Sequence, residues 1–235
     1  MKNIRVVPCG DGAVSVRFEE EISLAVHEKV MALDRALEGR PIPGTGERVP
    51  SYCALLITYN PMETDFETVC RSLLALDEEE TGKTGLPACE FGKTVELPVC
   101  YGGEFGPDLA DVAKHAGLTE EETVAIHAGG EYPVYLLGFT PGFPYLGGMD
   151  GRIATPRLAT PRTKVAAGSV GIAGAQTGVY PVASPGGWRI IGRTPAKLYD
   201  PGRQQPFLLQ AGQVLRFRPI TKEEYFAWEG GNPHD

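Results

Sequence analysis

Thirty glycines and 20 prolines are spread through 235 residues, and they crowd most densely between Gly138 and Tyr199. Proline removes a backbone donor and glycine has the most conformational freedom to lose on folding, so no long helix and no long central strand can run through such a stretch. Short strands joined by tight turns remain. Apolar runs at Tyr132 to Leu137, Lys164 to Ile172, Val179 to Val182, Trp188 to Ile191 and Val214 to Pro219, each bounded by turn residues, predict an all-β barrel or sandwich. A strand at Thr94 to Cys100 leads into it. Two helices are inserted early: Pro107 opens one that Gly117 closes, and Thr119 with Glu122 forms a capping box for another reaching about His127.

The N-terminal third has a different rhythm. Val14, Val16 and Phe18 alternate with Ser15 and Arg17, the period of a half-buried strand. Ser23 can cap a helix along which Val26, Val30, Leu33 and Leu37 follow helical spacing, and Gly39 can end it in the left-handed conformation. Pro41 to Gly46 is turn punctuation. The run Tyr52 to Tyr59 is continuously apolar at Ala54 to Ile57, which places it centrally in a sheet. Phe66, Val69, Leu73 and Leu76 mark a second helix, capped near Thr64 or Asp65. Helices alternating with strands suggest a ferredoxin-like or similar split α/β sandwich. Glu78 to Lys93, charged and Gly-bearing, reads as the linker, so the expected organisation is α+β: an α/β domain over 1–85 and a β-barrel domain over 92–235.

Gly82-Lys83-Thr84 inside that linker matches only the end of a phosphate-binding loop, because the glycine the motif needs is replaced by Asp77.

Charge is segregated. Gly138 to Tyr199 carries Arg152, Arg157, Arg162, Lys164, Arg189, Arg193 and Lys197 against Asp150 alone, a surplus of +6 in a chain of net charge -8. Such a stretch suggests a surface for an anion or an acidic partner. The acidic total argues against nucleic acid, and no run approaches the ~20 apolar residues of a membrane helix. Without the apolar core of a signal peptide, the start of the chain predicts a cytoplasmic protein. Five cysteines (Cys9, Cys53, Cys70, Cys89, Cys100) form no C-x-x-C pair and read as reduced thiols, Cys100 as a small buried hydrophobe. His27, His115, His127 and His234 lack ligand spacing, so no metal site is expected, and His115 and His127 read as helix decoration.

No catalytic set can be nominated from the sequence. Candidate binding residues come from the Gly/Pro-rich stretch. Arg157 and Arg162 end two copies of Ala-Thr-Pro-Arg. With Arg193 they could grip a carboxylate or phosphoryl group bidentately, or be solvated or paired with acids of the N-terminal domain or of Glu120 to Glu122. Gly168, Gly171 and Gly174 could expose amides to an anionic cofactor or simply relieve crowding at strand crossings. Ser169 and Gln176 could orient a ligand amide or bond nearby backbone. Among the aromatic residues, Phe139 reads as a barrel plug, whereas Tyr145 and Trp188, each with a polar handle, suit the wet side of a pocket or interface.

Longer motifs carry a family resemblance. Gly138-Phe139-Thr140-Pro141-Gly142-Phe143-Pro144-Tyr145-Leu146-Gly147-Gly148, the two Ala-Thr-Pro-Arg copies, Ala167-Gly168-Ser169-Val170-Gly171-Ile172-Ala173-Gly174, Ser184-Pro185-Gly186-Gly187-Trp188 and Gly192-Arg193-Thr194-Pro195 resemble the family that comprises allophanate hydrolase subunit 1, the B-type component of 5-oxoprolinase and a sporulation-kinase inhibitor. Upstream, Leu97 to Asp108, Gly10-Asp11 and Tyr59-Asn60-Pro61 extend the resemblance over essentially the whole chain. The resemblance implies a cyclophilin-like C-terminal barrel and a small α/β N-terminal domain. It implies an ATP-using complex that opens 5-oxoproline to glutamate, with ATP bound on a component the sequence does not identify. The partners implied are a larger cyclophilin-like protein, of the 5-oxoprolinase C-type or allophanate hydrolase subunit 2 type, and a third 5-oxoprolinase component. A carboxyltransferase module of a biotin-dependent urea-carboxylating system and a kinase inhibitor are the alternative roles within the same resemblance.

Overall fold

The computed structural model describes residues 4–81 and 92–228, with the side chains of 78–81 left aside. The chain divides into two compact units, Met1–Glu90 and Phe91–Asp235. Of the expected linker, the stretch up to Thr81 is still helical, and its remainder, with Gly82-Lys83-Thr84, lies outside the described residues.

The first unit runs β1 (Arg5–Pro8), β2 (Ala13–Arg17), α1 (Leu24–Gly39), β3 (Thr45–Pro50), β4 (Ala54–Tyr59) and α2 (Phe66–Thr81). Its sheet has the order β1-β2-β4-β3 with every pairing antiparallel. From β2 onward the succession is the β-α-β-β-α of a ferredoxin-like unit, but the edge strand beside β2 comes from the start of the chain, as β1, rather than from its end. Register follows from alternation: Val14 faces Ile57 and Val16 faces Leu55, all four buried. Helix residues Val26, Val30, Leu33 and Leu37 of α1, and Val69, Leu73 and Leu76 of α2, complete that core. Ser23 caps α1 and the Asp65 carboxylate accepts the Thr68 amide at 2.8 Å to start α2. Gly39 does not supply a left-handed stop; the helix leaves through Arg40 at φ -138°.

The second unit contains β5 (Thr94–Tyr101), α3 (Leu109–Ala116), α4 (Glu120–Ala128), β6 (Tyr132–Leu137), β7 (Pro144–Leu146), a 3-10 turn at Gly151–Ile153, β8 (Arg162–Val165), β9 (Ser169–Ala173), β10 (Gln176–Val179), β11 (Ser184–Gly186), β12 (Arg189–Arg193), β13 (Val214–Pro219) and α5 (Lys222–Phe226). Seven strands form one sheet in the order β10-β9-β12-β5-β13-β6-β7, and its outermost strands, β7 and β10, meet, so the sheet nearly closes into a barrel. Among the described strands, only β5 and β13 pair in parallel. Closure explains the patterning. Val95, Leu97, Val99, Val170, Ile172, Ile191, Leu215 and Phe217 point into one core, where α3 adds Leu109 and Val112. The run expected from Lys164 to Ile172 is broken into β8 and β9 at Gly168, whose φ of +81° and whose approach to the Thr194 carbonyl admit no Cβ. Strands β7 and β11 escape sequence patterning because each is three residues long and contains a proline.

His127 corrects another expectation. It does not decorate α4: its ring is fully buried, stacked 4.5 Å from Phe217, with Nδ1 2.8 Å from the Tyr101 hydroxyl and Nε2 2.8 Å from the Thr177 hydroxyl. Burial lowers its pKa to about 3. An unfolded histidine takes up its proton near pH 6.5, whereas the folded ring refuses one until about pH 3, so its contribution to stability is full above pH 6.5 and declines as the pH falls. Between pH 7 and pH 5 this amounts to about 2 kcal/mol. His27 is depressed by burial as well and adds in the same direction. Urea unfolding at both pH values should therefore show a loss on acidification that is clearly smaller in His127→Gln, which cannot titrate; an equal loss in both proteins would contradict the assignment.

Candidate functional site

The loop from β6 to β7 builds the site. The Thr140 amide donates to the Gly138 carbonyl at 2.7 Å, closing a three-residue γ-turn about Phe139, which is held at φ 64°. Gly142, at φ +83° and packed against Tyr199, Leu198 and Phe207, then turns the chain inward. That delivers Phe143 to the interior, where four rings stand around it nearly edge-on: Phe139 at 5.8 Å, Tyr145 at 5.3 Å, Tyr180 at 5.7 Å and Trp188 at 5.6 Å. Above this hub opens a pocket of about 260 Å³, lined by these rings, by Arg157 and Gln176, and by the Pro185 to Gly187 segment.

Arg157 is the charged group of the pocket. Its guanidinium carbon lies 5.9 Å from the centre of the Trp188 ring, and no carboxylate pairs with it among the described residues. A planar cation against an indole face keeps its edge free to grip an anion. Tyr145 and Gln176 are on the same walls. Four of the expected residues, Arg157, Gln176, Tyr145 and Trp188, thus come together.

The others are placed elsewhere. Arg162 donates to the Asp108 carboxylate at 2.7 Å and, more weakly, to the Trp188 carbonyl at 3.4 Å, while the second Asp108 oxygen accepts the Ile190 amide at 2.7 Å. Asp108 and Arg162 thus form a strut behind the pocket wall. Arg193 donates to the Ala167 carbonyl at 2.9 Å. Ser169 is buried in β9. Gly168 is a tight turn, Gly171 lies within β9 opposite Gly178, and Gly174 turns β9 into β10, so all three stand where close backbone packing or a reversal calls for glycine.

Two aromatic expectations exchange places. Phe139, expected as a plug, is 70% exposed at the pocket rim; Trp188, expected on the wet side, is only 9% exposed and shares a buried cluster with Phe143, Val165, Tyr180 and Ile190. The charge surplus also shrinks in three dimensions. Arg152, Arg162, Arg189 and Lys197 meet Asp150, Asp108, Asp111 and Asp200, which leaves Arg157, Lys164 and Arg193 without a carboxylate partner among the described residues. Asp108 was legible only as the residue before α3, and its side chain does not cap that helix.

No group of His, Cys, Asp and Glu suited to a metal is found among the described residues, and no described helix is long and apolar enough to cross a membrane.

Residues 4–209 match the family described as carboxyltransferase domain, subdomain C and D. The chain belongs to that family. This family member is 45% identical over 230 residues to the 5-oxoprolinase B subunit of Bacillus subtilis, covering 94% of each chain. To the protein of the same description from Escherichia coli O157:H7 it is 42% identical over 220 residues, covering 93% of this chain and 97% of that one. Among solved structures, a conserved uncharacterised protein from Pyrococcus horikoshii has a TM-score of 0.56 at 46% identity, covering 94% of this chain and 100% of its own. The urea carboxylase of Kluyveromyces lactis has a TM-score of 0.79 at 21% identity over 98% of this chain and 23% of its own, a likeness of fold.

Proposed function

We propose that this protein is the B subunit of an ATP-dependent 5-oxoprolinase. The observation that carries this reading is identity of 42–45% along more than nine-tenths of both chains with proteins so described. The overall reaction hydrolyses the ring amide of 5-oxoproline to glutamate while a second water cleaves ATP to ADP and phosphate. The pocket suits part of this work. Arg157 offers a fork for the carboxylate of 5-oxoproline, Gln176 and Tyr145 offer hydrogen-bonding groups to its lactam amide, and the aromatic walls exclude water from the flat ring. Both ATP and the remaining chemistry are assigned to the complex, completed by a larger cyclophilin-like partner and a third component. On this reading the isolated chain is inactive.

Reconstitution tests it. Glutamate formation dependent on both ATP and 5-oxoproline should require this chain together with its co-purifying partners, and turnover by this chain alone would contradict the division of labour. Arg157→Lys keeps the charge but loses the fork, and should lower kcat/KM of the assembled enzyme about tenfold, equal to about 1.4 kcal/mol, without preventing assembly. A second reading, a carboxyltransferase module acting on a urea-like substrate, is supported by the family description. It predicts, in a reconstitution supplied with bicarbonate and a biotin-bearing carboxylating partner, ATP hydrolysis stimulated by urea and not by 5-oxoproline.

A further inference from the structure

Phe139 is the one non-glycine residue at positive φ among the described residues. An L-aromatic residue there occupies an unfavourable region of backbone space, and with the ring 70% exposed, burial does little to offset that strain. Such uncompensated strain concentrates at ligand clamps. Its position fits a clamp. Phe139 stands on Phe143 at 80°, and Trp188 stands on the same Phe143 at 87°. Phe139, Phe143 and Trp188 line the same pocket, and the Arg157 guanidinium lies over the Trp188 ring within it, so the rings bound a slot with one cation in its wall.

A slot with aromatic walls and one guanidinium free of carboxylate suits a small flat molecule bearing a single carboxylate, gripped at the charge and covered on its faces. We infer that Phe139 determines affinity and specificity at this pocket: the strained γ-turn presents its ring at the open rim, and the ring closes over a flat carboxylate anchored by Arg157 beside Trp188. This rests on the reading of the pocket as the ligand site.

The test combines calorimetric titration of 5-oxoproline into the full chain with thermal unfolding. Phe139→Gly removes both ring and strain, so its Tm should be unchanged or higher by about 2–4 °C, while the affinity falls about tenfold or more. Phe139→Ala should lose the same affinity with no gain in Tm, and Phe139→Tyr should bind as the wild type does. Wild-type affinity in Phe139→Gly, or a lowered Tm in that variant, overturns the inference. Binding that is lost in Arg157→Lys but kept in Phe139→Gly overturns it while leaving the ligand site standing. Failure of the wild-type chain to bind 5-oxoproline removes the ligand-site reading and the inference together.

Discussion

Asp108→Ala is expected to destabilise the barrel unit by about 2–3 kcal/mol, because it removes the buried member of an ion pair whose partner Arg162 is part exposed, and leaves two donors without their acceptor. Two groups are orphaned at once. The Arg162 guanidinium loses its 2.7 Å acceptor and the Ile190 amide loses the carboxylate oxygen that holds the start of β12. Ile190 follows Trp188 by two residues, so the pocket wall loses its anchor with them. Asp108→Asn retains an acceptor but no charge and should fall between the wild type and the alanine variant. Arg162→Lys should also appear as a loss of stability, since an ammonium cannot reach Asp108 and the Trp188 carbonyl together. Denaturant unfolding decides the matter. If Asp108→Ala unfolds at the wild-type midpoint, the strut contributes nothing to stability.

Trp188→Ala should cost about 3–5 kcal/mol, the usual penalty for emptying a large aromatic site in a packed cluster. The indole touches Phe143 and Tyr180 edge-on and is almost wholly covered. For a unit of this size a loss of that order lowers the Tm by roughly 10 °C. Trp188→Phe should recover most of the stability while withdrawing the larger face over which Arg157 sits, so ligand affinity and stability come apart in that variant. A thermal transition unchanged in Trp188→Ala would place the ring outside the core. Phe139, exposed at the pocket rim, provides the contrast: its truncation should weaken binding and spare folding.

Where information is local, the chain could be read directly. Ser23, Thr119 and Glu122 cap helices as expected because a cap needs only residues within one turn. The core positions of β2, α1, β4 and α2 are legible in periodicity because one face of each element is buried. The density of glycine and proline marked the second unit as short strands, and closure of β7 onto β10 is why residues from so many of them share one core. The family motifs, being contiguous, could be read whole.

Tertiary structure alone separated residues that look alike in one dimension. Arg157 and Arg162 end the same tetrapeptide five positions apart, yet β8 begins at Arg162 and turns its guanidinium to an aspartate 54 residues upstream, while Arg157 stays outside that strand and reaches the pocket. No local rule distinguishes them, because the partner that neutralises one is brought in by the sheet. His127 likewise reads as a helix-surface residue until β5 and β10 supply the hydroxyls that bracket it. Phe139 is the converse. A large apolar residue in a run of aromatics suggests burial, but a hydrogen bond spanning two residues holds its backbone at positive φ and directs the ring outward, a choice made by the loop's closure and not by hydrophobicity.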